Sequence, residues 1–304
     1  MIIDKLIDRI IELDNPTAVG LDTCVDYLPE EMRAKCNTLA DCGEQMFIFN
    51  KNIIDNIKDL VPAVKVQVAY YEQYGVEGMR AFKRTLEYAK QNGLFTIADI
   101  KRNDIGSTAG AYSRAYLSGV EVKGKRFAEF EADFITVNGY LGSDGLMPFI
   151  EDCKKYDKGL FVLVKTSNPS SGELQDKIMD GKTLYENMAD LITDLGSDLV
   201  GKYGFSSVGA VVGATHKEQA KDIRDKYPNL FFLIPGYGAQ GGKASDIAVS
   251  FRDGIGGIIN NSRGILCAYR KDEYKGQTYF EAARNAVINM KNDLSRGLKG
   301  EKNA

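Results

Sequence analysis

Apolar residues along the chain fall into short runs separated by longer amphipathic stretches. Ile2, Ile3, Leu6, Ile10 and Leu13 recur at spacings of three and four, which predicts an amphipathic helix over 2–13. Asn15-Pro16 ends it, and 17–21 (TAVGL) reads as a short buried strand closing on Asp22. Helical spacing returns over 44–60 and breaks at Pro62; 63–68 (AVKVQV) alternates and predicts a strand carrying Lys65. A helix over 76–91 stops at Gly93. Residues 95–108 (FTIADIKRNDIGST) start as a third strand and run through a charged turn into a helix over about 107–117.

The second half keeps the rhythm. Strands are predicted at 134–137 (FITV), 160–165 (LFVLVK), 208–212, 230–234 (LFFLI) and 257–260. Helices are predicted at 144–155, 183–203, 217–226, 243–251 and 279–294, with long polar connections at 119–130 and 170–182. Eight apolar strands therefore alternate with helices. Most are near-continuous apolar runs, as expected where both faces of a parallel sheet are covered. Eight such units in 304 residues predict an α/β protein, a (β/α)8 barrel of the TIM type. An open doubly wound sheet is the competing layout, but no G-x-G-x-x-G follows the first strand. No linker or low-complexity segment interrupts the pattern. The expectation is one domain over 1–304, with its barrel core at about 17–294 and extra helices at both ends.

Composition narrows the function. A net charge of -3 argues against a nucleic-acid surface built on phosphate neutralisation. Five scattered cysteines without CxxC spacing, and a single histidine, make a zinc site or disulfide framework improbable and suit a reducing cytoplasm. The N-terminus lacks the basic start and unbroken apolar core of a signal peptide. No run approaches the roughly 20 apolar residues that would span a membrane.

In a barrel of this kind the chemistry lies at the C-terminal ends of the strands. The polar residues predicted there are Asp22, Lys65, Asp99, Lys101, Asp104, Asn138, Ser167, Gln240 and Arg263. Asp99 and Lys101 are two apart in a strand and project to one side; Asp104, past the strand end, can curl back or reach a neighbouring molecule. Alone, D-x-K-x-x-D also fits a strand running into a solvated charged loop, and Asp22, Lys65 and Arg263 each have an ordinary structural use. Their joint place on one rim favours a site. The PGYGAQGG segment (235–242) after the seventh strand and Ser262-Arg263-Gly264 after the eighth suit a phosphate group, held by backbone N–H donors and one bidentate arginine.

These stretches resemble the orotidine 5'-phosphate decarboxylase family, in particular its longer bacterial type. The matching segments are GLDT (20–23), KVQVAYYEQYG (65–75), ADIKRNDIGSTA (98–109), TVNGYLGSDGL (136–146), VLVKTSNPSSGELQ (162–175), VGAVVGAT (208–215), PGYGAQGG (235–242) and NNSRGIL (260–266). They span almost the whole barrel in order. Gly139, His216 and Ser262 depart from the usual pattern, and none removes a catalytic group. The resemblance implies conversion of orotidine 5'-monophosphate to UMP, the last step of de novo pyrimidine synthesis, with no cofactor and no metal. It implies Lys65, Asp99, Lys101 and Asp104 as the catalytic set. It implies substrate contacts from Asp22 and Thr108 to ribose, Ser167 to the pyrimidine, Gln240 to base and phosphate, and Arg263 to phosphate. It also implies a homodimer in which Asp104 and Thr108 serve the partner's site. His216, at a predicted helix start, reads as a surface residue.

Two other readings stand beside it. A metal-dependent sugar-phosphate lyase or aldolase of the same superfamily shares D-x-K-x-x-D but needs a carboxylate at the end of strand two, where this chain has Lys65. The other is a non-catalytic nucleotide-binding barrel, against which the intact Asp99, Lys101 and Asp104 argue.

Overall fold

Apolar runs that are buried on both faces become parallel strands, and eight of them close on themselves. In the computed structural model, which describes residues 1–238 and 244–298, they are β1 (Thr17–Gly20), β2 (Ala63–Gln67), β3 (Phe95–Arg102), β4 (Phe134–Val137), β5 (Gly159–Lys165), β6 (Ser206–Val212), β7 (Leu230–Ile234) and β8 (Gly257–Asn261). Each pairs with the next, and β8 closes onto β1 with Thr17 opposite Ile259. The predicted (β/α)8 barrel is the observed fold.

The helices α1 (Ile2–Leu13), α2 (Leu39–Ile57), α3 (Gly75–Gln91), α4 (Gly106–Ser113), α5 (Ser143–Tyr156), α6 (Leu184–Leu195), α7 (Lys217–Lys226), α8 (Ala244–Ile247) and α9 (Tyr279–Leu298) follow the predicted order. Several differ in extent, α2, α6 and α8 among them. α2 starts earlier, because Thr38 and Asp41 form a reciprocal cap: the Asp41 N–H donates to Thr38 Oγ1 at 3.1 Å and the Thr38 N–H to Asp41 Oδ2 at 2.9 Å. α6 ends at Leu195 rather than near 203: at Gly196 a Cβ would come within 2.7 Å of Val208, so the chain turns against β6 there. The helix expected over 243–251 is one turn of α-helix followed by a 3-10 turn at Ala248–Ser250, and Lys243 lies outside the described residues.

The two connections read as loops each contain an antiparallel hairpin, Val120–Val122 with Lys125–Phe127 and Ile178–Met179 with Lys182–Thr183. Each has a two-residue turn with positive φ at both positions, Lys123-Gly124 and Asp180-Gly181. That is the I′ geometry whose twist matches the strands.

Period-two alternation sorts the barrel interior into layers. The lower one is apolar: Ala18, Ala63, Ile97, Phe134, Phe161, Phe231 and Ile258 form one core with Ile3, Leu6, Ile7 and Ile10 of α1, which stoppers the N-terminal mouth. Two residues further up, the same faces turn polar at Lys65, Asp99, Thr136 and Asn260. A second core lies between the strands and the outer helices. The barrel is thus filled from below and open above, and the polar layer floors a cavity.

Candidate active site

That cavity has a volume of about 780 Å³. Asp22, Lys65, Asp99, Lys101, Ser167 and Arg263, all singled out in the sequence, line it. Gln240 lies outside the described residues, as do Gly241 and Gly242. Asp104 and Thr108 are not brought to the cavity. Asp104 accepts from the Ile105 N–H at 2.7 Å, and Thr108 is exposed on the first turn of α4. Asn138 is likewise outside; its carbonyl accepts from Asn103 across the rim.

The floor is one connected run of charge. Lys65 Nζ donates to Asp22 Oδ1 at 3.3 Å and to Asp99 Oδ2 at 2.8 Å. Lys101 Nζ donates to the other oxygen of Asp99 at 2.5 Å. Lys65 and Asp99 are 4% and 5% exposed, whereas the Lys101 side chain is 45% exposed, so the run leads from a dry interior to an ammonium at the cavity. Buried charges persist only when paired and hydrogen-bonded. Burial opposes ionisation of Asp99, but Lys65 and Lys101 outweigh it and hold the carboxyl far below the usual carboxylate range. Burial also opposes the charged form of Lys65; Asp22 and Asp99 reverse that and raise its pKa above the ordinary lysine value.

Two further side chains complete Asp99, and neither was singled out in the sequence. Gln67 Nε2 donates to Oδ2 at 2.9 Å, and Thr136 Oγ1 donates to Oδ1 at 2.7 Å. Thr136 Oγ1 also accepts the Lys101 N–H at 3.0 Å. This second bond matters because Lys101 has φ of 48°, a left-handed backbone that costs a non-glycine residue about 1–3 kcal/mol. The β3–β4 register runs Ala98 to Ile135 and then Arg102 to Val137, so β3 bulges between them. Bulges re-aim side chains. Here the bulge swings the Lys101 ammonium back onto the carboxylate two residues before it. The signal for Gln67 and Thr136 was the period-two register: Gln67 is two beyond Lys65, and Thr136 two beyond the inward-facing Phe134.

At the other side of the cavity, Arg263 opens a short helix after β8 and is exposed. Asn260, Asn261 and Ser262 share that wall. The Tyr27 and Tyr70 rings lie 6.3 Å apart at the β1–β2 side, and burial pushes the Tyr27 hydroxyl up to about 12. His216 is half-buried rather than a surface residue: its Nε2 lies 3.3 Å from Ser171 Oγ, and burial together with Lys165 lowers its pKa.

Comparison with known proteins fixes the family. The profile of the Orotidine 5'-phosphate decarboxylase / HUMPS family matches residues 48–276. Orotidine 5'-phosphate decarboxylase of Clostridium acetobutylicum is 46% identical over 299 residues, covering 98% of this chain and 100% of that one. The chain belongs to the orotidine 5'-phosphate decarboxylase family. The enzyme of that name from Petrotoga mobilis is 44% identical over 97% of this chain and 98% of its own. Among solved structures, a provisionally assigned orotidine-monophosphate-decarboxylase from Toxoplasma gondii superposes with a TM-score of 0.79 at 32% identity, with 98% of each chain covered. The decarboxylase relatives therefore span both the barrel and its terminal helices. The lysine inside β2 places a cation on the cavity floor, and among the described residues no group of three or more His, Cys, Asp or Glu is placed to hold a metal ion.

Proposed function

We propose that the chain decarboxylates orotidine 5'-monophosphate to UMP without cofactor or metal, with Lys101 as the group that stabilises and protonates C6. The observation that carries this reading is the Lys65–Asp99–Lys101 run, whose one half-exposed member is the ammonium at the cavity. In the step, the bond between C6 and the carboxylate carbon breaks, carbon dioxide leaves, and the electron pair remains on C6. Lys101 then gives a proton to C6 and is reprotonated from solvent. A cation oriented before the charge develops needs no reorganisation. At about 4 Å and an effective dielectric of about 20, its attraction for the carbanion is worth about 4 kcal/mol. Asp99 holds the Lys101 ammonium in place through a 2.5 Å hydrogen bond and crowds the substrate carboxylate.

The remaining roles follow the family pattern. Lys65 and Asp22 hold ribose hydroxyls. Ser167 meets the pyrimidine edge, Gln240 bridges base and phosphate, and Arg263 clamps the phosphate. Binding energy from the phosphate, remote from C6, is available to offset the cost of distortion at the reacting carbon. Asp104 and Thr108 complete the site of the partner in a homodimer. Five free cysteines suit a reducing compartment, and among the described residues no helix is long and apolar enough to cross a membrane. We assign the chain to the cytoplasm and to one domain.

The decisive experiment follows absorbance after adding orotidine 5'-monophosphate, with and without EDTA. Equal rates are expected. Activity lost to EDTA would move the assignment to a metal-dependent barrel, and tight UMP binding without turnover would move it to a non-catalytic one.

The bond from Thr136 to both Asp99 and Lys101 yields a milder test. Thr136→Val keeps the shape but removes the hydroxyl, so Lys101 loses the contact that holds its backbone. kcat should fall about 10- to 100-fold with KM little changed, since small misplacements of a catalytic group cost this much. Thr136→Ser should restore most of the loss. Steady-state kinetics showing a changed KM and an intact kcat would refute the role.

A further inference from the structure

At the top of β5 one lysine is wholly buried. Lys165 is 0% exposed, and its ammonium donates to Asp176 Oδ1 at 2.6 Å and to Ser171 Oγ at 3.3 Å. Its charge also lies 5.9 Å from the centre of the Tyr185 ring. Among the described residues Asp176 is its only carboxylate partner. Asp176 belongs to the connection between β5 and α6, so the ion pair fastens that connection to the barrel wall. A charge this deep tolerates no loss of its partner, which makes the fastening strong.

The residue beside the fastening is Gln175, and its amide closes on Thr166. Gln175 Oε1 accepts the Thr166 N–H at 2.9 Å, and Nε2 donates to Thr166 Oγ1 at 2.7 Å. The Thr166 hydroxyl donates in turn to Asn168 Oδ1 at 2.7 Å. The next residue, Ser167, is held from the opposite side. Thr215 Oγ1 donates to its carbonyl at 3.2 Å, and Gly213 lets it press in: a Cβ there would come within 2.7 Å of the Ser167 Cβ. Among the described residues the Ser167 hydroxyl has no partner, and Ser167 and Gln175 both line the cavity.

We propose that Gln175, pinned by the Lys165–Asp176 pair, is a positioning residue that sets the Thr166–Ser167 turn against the base of the bound nucleotide. This rests on the reading of Ser167 as the group that meets the pyrimidine. A loop-borne hydroxyl gives its full hydrogen bond only when its backbone is fixed to within about 0.5 Å. Gln175 supplies that fixing without needing to touch the base.

The test compares binding of UMP and of ribose 5-phosphate, which lacks the base, by titration calorimetry. Gln175→Met keeps the volume and removes both hydrogen bonds to Thr166. UMP should bind about tenfold more weakly, the scale of one lost hydrogen bond, while ribose 5-phosphate binds as before. The double variant Lys165→Met/Asp176→Leu, which removes both charges together, should show the same selective loss. Equal weakening of the two probes, or unchanged UMP binding by Gln175→Met, overturns the proposal. A wild-type protein that binds both probes equally tightly would instead refute base recognition at this turn, a different failure.

Discussion

Replacing Lys101 by alanine is expected to abolish turnover of orotidine 5'-monophosphate while the protein stays folded. The loss has two parts. The ammonium's attraction for the C6 carbanion, about 4 kcal/mol, is close to a thousandfold in rate. Proton delivery by a positioned group adds roughly 10²–10⁴. Together they predict a fall on the order of 10⁵-fold or more. The fold should survive because the side chain is 45% exposed and Asp99 keeps Lys65, Gln67 and Thr136 as partners after its removal. The absorbance assay should therefore read near zero on a protein whose thermal melting is shifted by only a few degrees. Retention of more than a few per cent of activity in a purified sample would remove Lys101 from the mechanism.

The same geometry explains which parts of the site were legible in the sequence. Strands buried on both faces write themselves as apolar runs, so a polar residue inside one stands out. Lys65 and Asp99 were visible for this reason, and the register places them 2.8 Å apart. Thr136 and Gln67 are just as central but ordinary in a strand edge or turn, and their bonds to Asp99 depend on which strands are neighbours. The left-handed backbone at Lys101 was not legible at all. Nothing in the letters D-I-K announces a bulge, which arises from the way β3 meets β4. The hairpins did carry a signal in their turns, Lys-Gly and Asp-Gly, but the paired segments are only two or three residues long and mostly polar on the second strand, too brief to outweigh the polar stretches around them. Gln175 lies in such a stretch, and its role depends on contacts with a strand end nine residues earlier.

Asp104 is a predicted site residue that its own chain keeps away from the cavity. It sits on the rim after β3 but does not line its own chain's cavity. Around it the surface is unusually apolar: Ile105 is 55% exposed, Tyr140 75% and Leu141 45%. The Cβ that Gly145 lacks would lie 3.0 Å from the Asp104 carbonyl, so the β3 and β4 loops form one surface there. Exposed apolar area beside a rim carboxylate fits the homodimer proposed above. Lys101→Ala and Asp104→Asn should each be inactive alone. Co-expressed under separate tags, they should form hybrids in which one composite site has lost both groups and the other keeps both. Random pairing makes half the dimers hybrid, so about a quarter of wild-type activity should return. If each site instead drew both groups from one chain, each chain of the hybrid would lack one of them and no activity would return. A purified two-tag hybrid with no more turnover than its parents would therefore rule out sharing of Asp104 between protomers.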